Sequence, residues 1–499
     1  MPDAPFSGRV KYFYAAWLIA LALCAALFLW AHALLSPRHD APFALPGEEK
    51  PIPKIEAAVP PALKAFDPKK DSHIVTAFSL QGMQHVTDAE PILNLLPPGN
   101  TLVVQVIRRD HQPEALLPGK DNAPAVVRYN LDYAPDPAVM NAPDQNSGTL
   151  GGFGDVPWFV NDSIVVLPYL ARAAALPGVN ATQGATQGQP ALFGAKAADG
   201  PGLFYAYPTA RVAAVDTQGT VLMETRTTLP VSTEIGCRNC HTGPWKYQDT
   251  AGLSRQTAEH ILTVHDRRNR TRLTEQAADN ITVDCRSCHS GAGEQPNLSA
   301  ALHGFHAAMK LDKAGACGLC HPSAENGATR FYRDLHAMWN LDCTRCHGSM
   351  TGHALSLLRF EAERGNVTAA SRMALLEGVS GLKAADIQPR RPWVNLPQCS
   401  GCHDFKKKPD PDSASAFNKW TTNKNERFVY AVDNTGTLRC PSCHGSPHAV
   451  YPADGPAGNN DNAQPLQYQQ TAMPLGKDGN CSVCHTTNMQ PFIHHDRIE

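Results

Sequence analysis

Cysteine is almost absent from the first 236 residues of this 499-residue chain, where Cys24 is the single example, whereas fourteen cysteines follow. This scarcity confines cysteine-based chemistry to residues 237–499. The chain also lacks an excess of one charge, because 44 basic residues are balanced by 46 acidic ones. A repeat of constant length is missing too, since the cysteine clusters start 26 to 56 residues apart. Spacing this irregular excludes a solenoid of equal repeats.

The fourteen cysteines form seven copies of one pattern, Cys-x-x-Cys-His, which is typical of covalent c-type haem attachment. Two intervening residues place the thiols one helical turn apart, where both can form thioethers with the vinyl groups of one porphyrin. The histidine that follows then lies under the ring with a nitrogen aimed at the iron. The seven copies are Cys237-Arg-Asn-Cys240-His241, Cys285-Arg-Ser-Cys288-His289, Cys317-Gly-Leu-Cys320-His321, Cys343-Thr-Arg-Cys346-His347, Cys399-Ser-Gly-Cys402-His403, Cys440-Pro-Ser-Cys443-His444 and Cys481-Ser-Val-Cys484-His485.

Three other uses of cysteine explain this pattern less well. A disulfide framework accounts for an even number of cysteines in an exported protein, but gives no reason for a histidine after every pair. Zinc needs four ligands per site and has no use for a histidine at that fixed position. A thioredoxin-type redox motif occurs once or twice in a chain rather than seven times. The sequence therefore predicts seven covalently attached c-type haems.

The haem-binding part has few residues for the number of haems that the motifs predict. Residues 237–499 provide about 38 residues per haem, so we expect the porphyrins to pack close together and to supply much of the apolar interior. Each haem adds two propionates to the formal net charge of −2. The loaded protein should therefore be clearly acidic, which argues against nucleic acid as a partner.

A membrane-length apolar segment lies near the N-terminus. Tyr12 to Leu35 is a run of 24 residues without a formal charge, and about 20 residues suffice to span a bilayer as a helix. Arg9 and Lys11 precede it, which favours a cytoplasmic N-terminus and an exported remainder. The alternative is a cleaved signal peptide, for which Ala31-His32-Ala33 offers a cleavage site. We expect a single-pass anchor on the periplasmic side of the cytoplasmic membrane, or a periplasmic or cell-surface protein if cleavage occurs.

Composition predicts four regions and a multidomain fold. Residues 1–36 are the anchor or signal segment, and the Pro- and Ala-rich residues 37–71 form a linker. Residues 72–230 carry short runs of Val, Ile and Leu bounded by turn residues, which predict a small antiparallel β domain, sandwich-like. Residues 231–499 form the seven-haem domain of coil and short helices. The predicted strands are Ile74–Leu80, Thr101–Arg108, Ala125–Tyr133, Ser163–Leu167, Arg211–Val215 and Thr220–Thr228, and the clearest predicted helices are Arg255–Asp266 and Ala300–Lys310.

Histidine is plentiful enough to give every iron two protein ligands. The motif histidines supply one axial ligand each: His241, His289, His321, His347, His403, His444 and His485. Nine further histidines are candidates for the seven distal positions: His260, His265, His303, His306, His336, His353, His448, His494 and His495. In the tight pairs His303/His306 and His494/His495, we expect one member to serve as ligand and the other to bond a propionate.

Distal ligands are unevenly distributed along the chain. Between His353 and His448 the only histidines are His403 and His444, which belong to the fifth and sixth motifs. These two sites must borrow a distal histidine from far along the chain, or use a methionine. The candidate methionines are Met350, Met373, Met473 and Met489. The histidines of the β-rich part, His73, His85 and His111, are expected at the surface or in turns rather than on iron.

Three short stretches resemble a type of exported bacterial multihaem c-type cytochrome with a β-rich N-terminal domain. They are Val231-Ser-Thr-Glu-Ile-Gly-Cys-Arg-Asn-Cys-His241, Ile261-Leu-Thr-Val-His-Asp266 and Leu302-His-Gly-Phe-His306. The resemblance implies respiratory or extracellular electron transfer without a defined substrate. Cys-x-x-Cys-Lys, which marks the catalytic haem of multihaem nitrite reductases, does not occur in the sequence.

Together these patterns predict an electron carrier rather than an enzyme, with no catalytic residues. Its expected partners are redox proteins, quinol-linked or other cytochromes, and the membrane through the N-terminal helix; homo-oligomers or filaments are possible. The alternative is a multihaem reductase in which one haem, the fifth or sixth, has an open face and acts on a nitrogen or sulfur oxyanion. A third hypothesis makes the β domain a binding module for a partner cytochrome, mineral or surface polymer.

Overall fold

The computed structural model describes parts of the chain between residues 63 and 494. Contacts divide the chain after Ala44, and every described residue belongs to the second unit, Leu45–Glu499. The predicted membrane segment and most of the predicted linker lie outside the described residues. The described residues are 63–79, 84–85, 92–95, 100–116, 126–131, 154–156, 160–161, 164–169, 194–195, 203–204, 209–228, 231–232, 235–243, 255–309, 316–321, 336, 341–392, 394–403, 410, 412–445, 448, 463–471, 473–487, 489 and 494.

No helix within these ranges has the length and apolar character needed to cross a bilayer. The helices are α1 (Arg255–Asn269), α2 (Leu273–Ala278), α3 (Leu298–Ala307), α4 (Cys343–His347), α5 (Met350–Ala362), α6 (Val367–Ser380), α7 (Cys440–His444) and α8 (Ala463–Gln469). The strands are β1 (His73–Ser79), β2 (Gln84–His85), β3 (Leu93–Asn94), β4 (Asn100–Arg108), β5 (Glu114–Ala115), β6 (Val126–Leu131), β7 (Gly154–Val156), β8 (Val160–Asn161), β9 (Ile164–Tyr169), β10 (Gly194–Ala195), β11 (Leu203–Phe204), β12 (Thr209–Val215), β13 (Val221–Thr228), β14 (Val231–Ser232) and β15 (Val283–Asp284).

Two antiparallel sheets dominate the β-rich part. One runs in the order β1-β4-β9-β8 with β5 added beside β4, and the other in the order β13-β12-β6-β7. The two sheets meet where β1 packs on β13. Strands β12 and β13 form a hairpin whose turn is held by Asp216, which accepts hydrogen bonds from the backbone of Gln218 and Thr220.

Strand β1 is buried on both faces, because Ile74, Val75, Thr76 and Phe78 are all at most 1% exposed. One residue of this strand corrects a sequence expectation: His73 is buried rather than exposed in a turn, and its Nε2 has no hydrogen-bond partner. His111 is exposed, as surface placement requires. The side chain of His85 lies outside the described residues.

Helix α8 covers the free edge of β1 with side chains instead of another strand. The Tyr468 hydroxyl donates to the Val75 carbonyl at 2.7 Å and accepts from the Val75 N–H at 3.1 Å. The Gln464 amide does the same for Ala77, accepting from its N–H at 2.9 Å and donating to its carbonyl. An unpaired strand edge otherwise exposes its backbone groups to foreign strands. The β-rich part is thereby joined to a helix that lies between the sixth and seventh motifs.

The region of the first four motifs has two apolar cores. Around the first and second motifs, Leu262 of α1 packs with Ile92, Leu95, Ile235 and Val283. This core includes the parallel pairing of β3 with β15, so residues 92–95 contact the second motif region directly. Contacts therefore cross the boundary predicted at residue 230.

The second core is a layer of three helices. Helices α3, α5 and α6 pack through Ala300, Leu355, Leu358 and Leu376, each fully buried. Each of the three helices begins with an N-cap side chain that accepts a hydrogen bond from the backbone N–H three residues later. The N-cap residues are Asn297, Ser349 and Asn366. Such N-caps stabilise a helix by about 1 kcal/mol. This layer presents His303 of α3 and His353 of α5 to the third and fourth motifs.

Candidate haem sites

Each motif folds as one short helical turn. In five motifs the turn is a 3₁₀ helix, and in the fourth and sixth it is a turn of α-helix, α4 and α7. The amide of the motif histidine bonds the carbonyl of the first cysteine, as His289 does to Cys285 at 3.0 Å and His403 to Cys399 at 2.7 Å. Residues three and four apart in such a turn share a face. Both thiols and the histidine of a motif therefore point to one side, as attachment of one porphyrin requires.

Eleven of the motif cysteines are half-buried, and Cys240, Cys288 and Cys399 are exposed. None of the fourteen, all of which lie in the described ranges, forms a disulfide. Burial raises the pKa of the Cys285 thiol to about 12 and that of Cys346 to about 11. Within the described residues, no cluster of three or more His, Cys, Asp or Glu side chains is arranged for a metal ion. A haem iron takes four ligands from its porphyrin, so a pair of protein ligands is what a haem site needs.

The spacing of histidine rings tests whether these residues fit haem. A metal–histidine bond is about 2.0 Å long, so two imidazoles on opposite sides of one iron have ring centroids about 6 Å apart. Five motif histidines face a second, non-motif histidine at this separation. The pairs are His265–His289 at 6.4 Å, His303–His321 at 6.1 Å, His336–His403 at 6.3 Å, His347–His448 at 6.0 Å and His485–His494 at 6.3 Å.

The rings of three pairs are oriented by hydrogen bonds from Nδ1. In the second site, His289 Nδ1 bonds the Pro296 carbonyl at 3.0 Å, and His265 Nδ1 bonds Thr271 Oγ1 at 2.9 Å. In the third site, His303 Nδ1 bonds the Ser299 carbonyl at 2.8 Å. An acceptor at Nδ1 keeps the proton there and leaves the Nε2 lone pair for a metal. These rings are therefore set in the tautomer that binds iron.

The seventh site is oriented by residues far away in sequence. His485 Nδ1 bonds the backbone carbonyl of His111 at 3.0 Å, and His494 Nδ1 bonds Asp433 Oδ2 at 2.7 Å. The Arg109 guanidinium also donates to the carbonyls of Ser482 and Val483. The β-rich part thus fixes the seventh motif. Sequence reasoning missed these residues because a backbone carbonyl leaves no trace in residue type.

The first site has two candidate distal ligands. The His260 ring centroid lies 5.2 Å from that of His241, with the two Nδ1 atoms 3.1 Å apart. That separation is too short for an iron between these two nitrogens, which would need about 4 Å. Burial lowers the pKa of His241 to about 4, with smaller contributions from the charges of His260 and His306. His306 is therefore also close to His241. His306 has its Nδ1 on the Leu302 carbonyl at 2.8 Å, which leaves Nε2 for metal.

A surplus histidine separates the third and fourth sites. The buried His353 ring stands edge-on to His303 at 4.6 Å and to His347 at 5.6 Å, and its Nδ1 has no hydrogen-bond partner. The fourth motif histidine therefore has both His448 and His353 beside it.

The fifth and sixth motifs, for which the sequence offers no nearby distal histidine, differ in the rings that lie beside their histidines. The fifth receives His336, which lies 67 residues before His403 and faces it. Beside the sixth, the aromatic ring of Phe428 has its centroid 6.3 Å from that of His444. His495 lies outside the described residues. Of the candidate methionines, Met350 and Met373 pack on the helical core, and Met489 is partly exposed.

Neighbouring motifs approach one another closely enough for their thiols to interact electrostatically. Burial and the charge of Cys399 raise the pKa of Cys440 to about 11, and burial and the charge of Cys484 raise that of Cys443. Interacting thiols of this kind connect all seven motifs into one series, in the order second, first, third, fourth, fifth, sixth, seventh. Its pairs are Cys285–Cys237, Cys237–Cys320, Cys317–Cys343, Cys346–Cys402, Cys399–Cys440 and Cys443–Cys484.

Backbone contacts support the closeness of the first and third motifs. The Gly236 amide donates to the Cys320 carbonyl at 2.9 Å, and the Asn239 side chain donates to the Leu319 carbonyl at 2.8 Å. A Cβ on Gly236 would lie 2.0 Å from the Leu319 carbonyl oxygen, so only glycine fits there.

Comparison with known proteins adds no family: no protein-family model, curated protein or solved structure matches the chain. The resemblance to exported multihaem cytochromes stays an expectation drawn from the motifs.

Proposed function

We propose that the protein is an exported, membrane-anchored electron carrier that holds seven covalently attached c-type haems. The observation that carries this proposal is the unbroken series of seven motifs, each within electrostatic reach of the next. The five histidine pairs at the spacing of a doubly ligated iron support it further. When bound, haem supplies one-electron exchange between ferric and ferrous iron.

The chain's own residues have three tasks in this function. The motif thiols, such as Cys285 and Cys288, anchor each porphyrin covalently. At the five paired sites the two histidines would hold the iron between them, which would leave no position for a substrate there and would favour low potentials. The groups that bond Nδ1, such as the Ser299 carbonyl and the Asp433 carboxylate, hold each ring in place and tune its basicity. Acid–base or nucleophilic residues are not required.

The exported location and the partners belong to the same proposal. They rest on the apolar segment Tyr12–Leu35 and on the fact that c-type haem is attached to proteins outside the cytoplasmic membrane. We propose redox proteins, quinol-linked or other cytochromes, as donor and acceptor, with the anchor keeping the carrier at the membrane.

Low-temperature electron paramagnetic resonance of the oxidised protein tests the proposal. We expect low-spin ferric signals that account for nearly all of the bound haem. Several stoichiometric high-spin haems in intact protein would contradict a carrier with paired histidine ligands.

A second function is favoured by one observation at the sixth site. The ring centroid of Phe428 lies 6.3 Å from that of His444, and phenylalanine cannot bind iron. An open face there would suit a reductase of nitrogen or sulfur oxyanions. The test is to add cyanide, nitrite or sulfite to the oxidised and reduced protein: a spectral shift of one haem and steady turnover would support this function, whereas a spectrum inert to all three would remove it.

A further inference from the structure

The buried side chain of Arg390 carries a positive charge that none of the described carboxylates balances. Arg390 is only 7% exposed. Its Nε donates to the Asn395 carbonyl at 3.0 Å, and its guanidinium lies 5.1 Å from the ring centroid of Trp420. A guanidinium stays protonated at neutral pH even when it is buried in a protein. A buried charge without an opposite charge is strongly unfavourable, and an anionic partner is therefore expected.

Its other neighbour is the histidine of the fourth motif. Arg390 Nη1 lies 2.8 Å from Nδ1 of His347. A guanidinium can only donate hydrogen bonds, so this contact needs the lone pair of His347 on Nδ1. In the second, third and seventh sites Nδ1 faces an acceptor instead, as a metal-binding neutral imidazole requires. The fourth site is the exception among these.

Metal binding through Nε2 of His347 would place the ring proton on Nδ1, opposite another donor. Arg390 then loses the acceptor that it has in this structure. The loop that carries Arg390 is held by its own backbone bond to the Ser356 carbonyl at 3.0 Å, and by the bond from Ser356 Oγ to the Gln388 carbonyl at 2.9 Å. The guanidinium is therefore kept beside the fourth site and needs a new acceptor there.

We propose that Arg390 binds a porphyrin carboxylate of the haem at the fourth site. This inference rests on the proposed function, because the carboxylates arrive with haem as its two propionates. A guanidinium matches a carboxylate with two parallel hydrogen bonds, and such charge-assisted pairs are the strongest in proteins. Arg390 is then a cofactor-binding residue outside the attachment motifs, and the pair resolves both the buried charge and the donor facing Nδ1.

The pair has a consequence for the redox potential. A positive charge beside a haem stabilises the reduced iron relative to the oxidised iron. Removing the guanidinium therefore lowers the potential of the fourth haem, the one nearest to the charge.

The experiment compares three variants of the full-length holoprotein in a redox titration followed by electron paramagnetic resonance. Arg390→Gln removes the charge, Arg390→Lys keeps it with a single donor nitrogen, and Arg359→Gln is the matched control. Arg359 donates to the carbonyls of Ala384 and Ile387, so it holds the same loop without approaching a motif.

We expect one of seven potentials to fall in Arg390→Gln, the same one to fall less in Arg390→Lys, and none to move in Arg359→Gln. Unmoved potentials in both Arg390 variants, or an equal shift in Arg359→Gln, would overturn the inference. If Arg390→Gln does not accumulate, Arg390→Lys alone tests the inference. Seven redox potentials equal to those of the wild-type protein in Arg390→Lys would then contradict it. Intact mass is measured on every sample, so that absence of bound haem, which would contradict the proposed function, is distinguished from an unmoved potential.

Discussion

Single hydrogen bonds to Nδ1 distinguish the candidate haem sites from one another. Backbone carbonyls serve His289, His303 and His485, whereas the carboxylate of Asp433 serves His494. A carboxylate draws the ring proton more strongly than a carbonyl and so makes the imidazole a stronger electron donor to iron. With haem bound, such differences would spread the potentials of sites whose ligands are chemically identical.

Asp433→Asn should therefore raise the potential of one haem, the seventh. Replacing a charged acceptor by a neutral one weakens the bond by on the order of 1 kcal/mol, which corresponds to about 40 mV for a one-electron couple. Spectroelectrochemical titration of the holoprotein measures the shift. Asp216→Asn is the control, because Asp216 holds a similar turn in the β12–β13 hairpin with no histidine bonded to it. A shift of equal size in both variants, or in neither, would refute this role of Asp433.

At the scale of elements, the cover of β1 by α8 should contribute measurably to stability. Tyr468→Phe removes the hydroxyl and leaves the N–H and C=O of Val75 buried without partners, which costs about 1–3 kcal/mol. We expect a lower thermal midpoint and faster hydrogen exchange at Val75. Thr263→Ala, which removes an exposed hydroxyl bonded to the Glu259 carbonyl, should change neither. Unchanged exchange at Val75 in Tyr468→Phe would show that α8 does not cover this edge.

The close contact between α3 and α5 should control two haem sites. A Cβ on Gly304 would lie 2.9 Å from Leu358 Cδ1 and 3.3 Å from Arg372 Cγ. Gly304→Leu should push α3 away from α5 and displace His303 and His306, which flank Gly304 on α3. Overpacking of this kind costs about 1–3 kcal/mol.

We expect Gly304→Leu to broaden the low-spin resonance signals of one or two haems and to lower the thermal midpoint. Gly378→Leu on α6 is the control, because a Cβ at Gly378 meets no atom within 4 Å. Identical spectra of the Gly304 variant and the wild-type protein would contradict the placement of His303 and His306 by this packing.

The local sequence pattern predicted where strands and helices lie better than it predicted how they pack together. The alternating runs at Thr101–Arg108 and Thr220–Thr228 lie on β4 and β13, and the apolar spacing in Arg255–Asp266 lies on α1. Helices α5 and α6 were not predicted, although Ser349 and Asn366 cap them and Gly381 follows α6 with a φ of 76°. Burial of His73 could not be foreseen, because it depends on how β1 packs within the whole unit.

At the scale of the whole molecule, the Cys-x-x-Cys-His motifs are visible in the sequence alone, whereas the histidines that face them are not. A covalent motif is written in adjacent residues, but His336 and His448 face motif histidines 67 and 101 residues away. Pairing over such separations is set by the tertiary fold and not by neighbouring residues. The order in which the motifs meet, with the second before the first, likewise follows from folding and not from chain order.

The central claim is that seven haems are bonded to this one chain along a continuous series of sites. Intact-mass spectrometry of the mature protein under denaturing conditions tests it most directly, because thioether-bound haem survives unfolding. We expect one species with the mass of the mature chain plus seven haems. A mass equal to that of the bare chain, or one with far fewer than seven haems, would contradict it.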